Sequence, residues 1–142
     1  MNELKFNSQV CTTKEQSQRL LELGLKPETA DMYITNMSNK GINYTDDYQI
    51  GSISFERVMS FWKEKGLKLE NTAWEIIPAW SLHRLIEMCN KTQYGMTISI
   101  YNDEVTVDGD LFEVLDNTYD NLISLIEWLI KIGCFNKEYL KQ

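Results

Sequence analysis

Hydrophobic positions along this chain recur with a helical period in four places and with a period of two in a short stretch between them. The longest helical run is YDNLISLIEWLIKIG, Tyr119 to Gly133. At about 100° per residue, Leu122, Leu125, Ile126 and Leu129 share one stripe, and Ile123, Trp128, Ile130 and Ile132 widen it on both sides. Only Ser124, Glu127 and Lys131 remain for water. An arc this wide predicts contact on more than one side, either inside the chain or with a second copy, so a homo-oligomer through residues 119–133 is one expectation. Asp120 in the first turn suits the helix dipole, and Gly133 after Lys131 suits a helix end.

Three further helices follow from caps and stripes. Thr12 or Thr13 can cap a helix running to Gly24, with Glu15 or Gln16 as the capping-box partner and Leu20, Leu21 and Leu23 on its buried side. Ser54 can cap a second, to about Lys65, in which Phe55, Val58, Met59 and Trp62 stand at i, i+3, i+4 and i+7. Ser81 can cap a third, with Trp80 and Leu85 spaced as a hydrophobic staple and Leu82, Leu85, Ile86 and Cys89 as the stripe.

The period-two stretches are Met96 to Ile100 and Glu104 to Asp108, separated by turn-formers that include Asn102 and Asp103. Asp108-Gly109-Asp110 is a second turn, after which Leu111 to Leu115 can return as a third strand. Met32 to Thr35, Tyr48 to Ile53 and Trp74 to Ile77 read as shorter extended segments. Residues 36–48 form a polar loop, longer than most connections within a domain. The pattern predicts an α+β fold: one domain over residues 1–142, with about four helices packed on a small antiparallel sheet whose clearest part is a β-meander around residues 96–115, covered by the last helix. The tail after Phe135 is polar enough to fray, with Phe135 and Tyr139 available to hold it.

Composition changes this picture little. A chain of 142 residues supports one proper core, whereas two domains would each be marginal. Neither a signal-like apolar run at the start nor a spanning helix is present in the sequence, so a cytoplasmic protein without membrane contact is expected. Cys11, Cys89 and Cys134 are odd in number and far apart, which fits reduced, buried thiols better than a disulfide framework or a metal-spaced pair. The net charge of −7 and the scattered lysines argue against direct nucleic-acid binding.

Candidate chemistry is sparse. His83, the single histidine, precedes Glu87 by one helical turn, and a surface hydrogen bond between them is the simple account; without a second histidine no metal site is expected. A nucleophile pair of Cys11 or Cys134 with His83 would need the fold to join them, and no local feature marks either thiol as activated. Seven carboxylates lie between Asn102 and Asp120 with no Lys or Arg among them. They read as a solvated outer face or as an acidic surface, centred on Asp103, Glu104, Asp108 and Asp110, for docking a basic protein partner. The seven glycines stand singly, so the phosphate-cradling loops are missing and no cofactor is expected.

Three segments, CTTKEQSQRLLELGLKPETADM, IPAWSLHRLIEM and DNLISLIEWLIKIG, together resemble a family of short bacterial proteins carried on prophages and other mobile elements. That family has no assigned activity, so the resemblance implies an accessory or host-interaction role and transfers no catalytic residue. The leading expectation is therefore a small acidic protein-interaction protein without catalysis. The alternative is a small-molecule binder or enzyme with a pocket near His83, Trp80 and Trp74, extending toward Trp62.

Overall fold

The widest apolar run becomes α4, Thr118–Lys131, in a computed structural model that describes residues 8–36, 48–66, 68, 74–90, 97–101, 104–112 and 117–142. Asn117 caps it, its side-chain oxygen accepting from the Asp120 amide at 3.2 Å. Tyr119, Asn121, Leu122, Ile123, Leu125, Ile126 and Leu129 are buried, covered by the rest of this chain. Trp128 and Ile130 also pack against the core, which leaves Ile132, 43% exposed, as the large apolar side chain of the run that faces solvent. Both sides of the wide arc therefore find their contacts within the molecule.

What covers α4 comes from three directions. The first is α1, Lys14–Glu22, whose capping box is made by Thr13 and Gln16: the Gln16 amide donates to Thr13 Oγ1 at 3.2 Å and the Thr13 amide to Gln16 Oε1 at 3.0 Å. Leu20 is fully buried, and Arg19 reaches across to Glu127 at 2.8 Å. The second is α3, Leu82–Asn90, with Leu85, Met88 and Cys89 inward and Ser81 Oγ accepting from the Arg84 amide. The third is a meander of three antiparallel strands, β4 (Ile98–Tyr101), β5 (Glu104–Val107) and β6 (Asp110–Leu111), with β5 in the middle. Val105 is fully buried beneath α4.

The turn from β5 to β6 is the Asp-Gly pair at 108–109, with φ of 52° and 86°. Positive φ at both central positions is what a type I′ hairpin turn requires. Asp108 Oδ1 accepts from the Thr97 amide at 2.9 Å, which ties the turn back to the start of the meander. β6 ends at Leu111, Phe112 already leaving the strand, so it is shorter than the predicted Leu111 to Leu115; residues 113–116 and the other turn residues, Asn102 and Asp103, lie outside the described residues.

The remaining strands form a second, separate antiparallel sheet in the order β2-β1-β3, built from β1 (Met32–Thr35), β2 (Gln49–Gly51) and β3 (Ile76–Ala79). Two small sheets thus stand where one was expected, joined through helices: α1 packs on both β3 and α4, and α4 in turn packs on β5. Nearly all of the predicted 36–48 loop, residues 37–47, lies outside the described residues. The fourth helix, α2 (Phe55–Glu64), is capped by Ser54, packs on β3 and buries only Val58 outright; Phe61 on it is 48% exposed. The tail is anchored rather than frayed: Lys26 donates its amide to the Tyr139 carbonyl at 2.8 Å, and Lys141 donates to that of Gly24 at 2.7 Å. No helix among the described residues is long and apolar enough to cross a membrane.

Candidate functional site

In antiparallel pairing, directly opposed residues lie on the same face of a sheet. The register opposes Ile34 to Ile50 on one side and to Ile77 on the other, so one face of the first sheet carries an apolar row across all three strands. The chain entering α1 lies along this face and is fixed at several points. Cys11 bridges to Ser81, the Thr12 amide donates to the Trp80 carbonyl at 2.9 Å, and Thr12 Oγ1 accepts from the Trp80 amide at 3.0 Å. Gln9 is held from its other side, its carbonyl accepting from Tyr119 Oη at 3.2 Å and its side-chain oxygen from Asn117 at 2.9 Å.

Between this segment and the sheet is an open cleft of about 640 Å³. Val10, Ile34 and Ile50 give it an apolar lining; Cys11, Lys14 and Tyr48 also line it. Val10 and Ile50 are exposed, so the cleft presents hydrophobic side chains to solvent. That size falls within the range of small-ligand pockets. Burial, with the Asp31 carboxylate adding to it, pushes the Cys11 thiol up to about 11. It therefore stays protonated at neutral pH and is a poor nucleophile.

Two of the lining residues, Lys14 and Tyr48, belong to a polar cluster with Glu75. Lys14 Nζ donates to Tyr48 Oη at 3.0 Å, Tyr48 Oη donates to Glu75 Oε2 at 2.8 Å, and Lys14 Nζ lies 3.2 Å from that same carboxylate oxygen. The hydrogen bonds to Tyr48 and Glu75 raise Lys14 above the ordinary lysine value, and those from Tyr48 and Lys14 lower Glu75 below the ordinary carboxylate value. Beyond Glu75 a second, shallower hollow of about 440 Å³ runs past Leu21, Trp74 and Ile77. The Lys14 to Glu75 contact is where the two hollows meet.

Of the residues singled out from sequence, Trp74 lines the second hollow, while His83 and Trp80 line neither. His83 is exposed on α3. Trp80 is fully buried, its indole N–H donating to Thr29 Oγ1 at 3.0 Å, which makes it part of the framework. Trp62 is half-buried against Phe61 on α2. Glu87 does not wait for His83: Arg84 reaches its carboxylate at 3.5 Å. Glu104, Asp108 and Asp110 are exposed on the meander, and Asp103 is outside the described residues. No group of three or more His, Cys, Asp or Glu able to hold a metal ion occurs among the described residues.

The chain matches no protein-family model, no curated protein and no solved structure. Functional inference therefore rests on the cleft's own geometry. Val10 and Lys14, in the segment entering α1, and Tyr48, before β2, sit in two separate stretches, each ordinary by itself, so the sequence does not join them. The one local signal was the exposed aliphatic at Ile50 in a short edge strand.

Proposed function

We propose that this protein is a non-catalytic binding protein and that the cleft over the first sheet is where its ligand sits. The observation that carries this reading is the open 640 Å³ hollow with exposed Val10 and Ile50 at its apolar lining. Apolar surface left open beside a fixed framework gains free energy when covered, at about 25 cal/mol per Å² removed from water. The protonated Cys11 thiol supports binding rather than nucleophilic chemistry at this place. The likeness to short prophage-borne proteins adds support for an accessory or host-interaction role.

Ligand-observed NMR screening of a fragment library tests this. Binders should compete for one site, shift the amides of Val10, Lys14 and Ile50, and be lost in Ile50→Arg. Because Ile50 is 52% exposed, that variant should keep the fold. Binders that map elsewhere, or that survive Ile50→Arg unchanged, would contradict the reading.

A second reading has its own observation. Glu104, Asp108 and Asp110 all face solvent on one hairpin, and none of the described ion pairs engages them, so the meander can dock a basic protein. Salt-insensitive capture of a basic partner, retained after all three are changed to Asn or Gln, would remove it.

A further inference from the structure

The clustering of Lys14, Tyr48 and Glu75 is more specific than a cleft with an apolar lining requires. Two donors from different segments, an ammonium and a phenol, converge on the same oxygen of one carboxylate, at 3.2 and 2.8 Å. That is a two-point carboxylate receptor, and in this structure its occupant is the chain's own Glu75. The backbone of Glu75 is fixed independently of its side chain, its amide donating to Asn36 Oδ1 and its carbonyl accepting from Thr35 Oγ1, each at 2.7 Å. The carboxylate can therefore leave without moving the main chain. It can also leave at little cost, because the Lys14 and Glu75 side chains are 33% and 46% exposed and solvent-exposed pairs are weak.

Resting on the binding reading above, we propose that the cleft takes a small aliphatic monocarboxylate. Its tail covers Val10, Ile34 and Ile50, and its carboxylate replaces that of Glu75 on Lys14 and Tyr48, so that Glu75 is a built-in competitor. Glu15 also lines the cleft, so the complementarity is local: Lys14, paired with Tyr48, is the cationic point that selects an anionic head group. Lys14 and Tyr48 both line the cleft, whereas Glu75 reaches them from the neighbouring hollow. A ligand carboxylate arriving through the cleft meets both donors directly. The raised Lys14 keeps the cation charged throughout the neutral range.

The test uses octanoate and octan-1-ol as probes, titrated into the full chain and followed by amide chemical shifts. Octanoate should shift Val10, Lys14 and Ile50 and bind more tightly than the alcohol. Glu75→Gln should tighten octanoate about two- to five-fold, the range set by the strength of an exposed pair. Lys14→Gln and Tyr48→Phe should each weaken octanoate while leaving the alcohol unchanged. Equal binding of both probes at these residues, indifferent to Glu75→Gln, would overturn the carboxylate assignment and leave the binding cleft standing. Absence of shifts with either probe, while library fragments still bind the cleft, would overturn the proposed occupant alone; absence of both would overturn the binding reading as well.

Discussion

α4 and α2 are both amphipathic by sequence, yet they end in opposite situations. Seven residues of α4 are buried, drawn from both sides of its stripe, whereas α2 buries Val58 alone and leaves Phe61 in water. The difference lies in what each can pack against. α4 is enclosed by α1, α3 and the meander. Among the described residues α2 packs chiefly on β3 and on the turn at Pro27–Thr29, with Phe55 reaching the main core. One half of the molecule is thus a filled core, and the other is a thin sheet with apolar surface to spare. The proposed binding cleft lies in the second half, where apolar side chains remain uncovered; a filled core has nothing left to offer a ligand.

The largest effects should fall in the filled half. Leu125→Ala removes a fully buried side chain from α4 and should cost about 2–5 kcal/mol in denaturant unfolding, whereas Phe61→Ala on α2, which loses a half-exposed ring and its contact with Trp62, should cost about 1 kcal/mol. Equal losses would erase the contrast.

A position in the thin sheet should be the exception. A Cβ placed on Gly51 would lie 2.0 Å from the ring of its cross-strand partner Tyr33. Gly51→Ala should therefore cost about 1–3 kcal/mol through overpacking, and much of that loss should vanish in a Tyr33→Ser background. Additive losses would mean that the close approach is not the cause.

The cysteines give a finer comparison. Burial pushes Cys89, inside the filled core, to about 12, and Cys11 beside the cleft to about 11. Iodoacetamide should modify Cys11 before Cys89, and the Cys11 rate should climb about tenfold per pH unit from pH 8 to 10 instead of levelling near 8.5. Early modification of Cys89 would show the core to be open.

The smallest effect concerns the cleft's polar cluster. Glu75 is lowered from an ordinary 4.5, so its contribution to stability is present above that pH and fades as pH falls through its folded value. Lys14 is raised from 10.5, so its share is present below that pH and is lost as pH rises through its folded value. Glu75→Gln should remove the acid-side part of this dependence while leaving the neutral-pH melting temperature nearly unchanged.

The filled half was legible in the sequence, and the reason is physical. The Leu122, Leu125, Ile126 and Leu129 stripe, the Thr13 and Gln16 box and the Asp108-Gly109 turn are each encoded within a few neighbouring residues, where period and cap chemistry suffice. The cleft was not legible, since Lys14, Tyr48 and Glu75 lie 34 and 27 residues apart and meet only through the pairing of the sheet and the packing of α1 on β3. The same limit explains His83 and Trp80. One helix turn suggested a His83 to Glu87 bond, but Arg84 competes for that carboxylate, and the staple spacing of Trp80 placed it in the framework rather than at a pocket.

Native-state amide hydrogen exchange tests the division into two halves most directly. The account predicts that α4 amides from Leu122 to Leu129 exchange only through global unfolding, while those of α2 and of β2 around Ile50 exchange through local opening at much lower free energy. Uniform protection across α4, α2 and β2, or α4 amides exchanging as fast as those of α2, would contradict it.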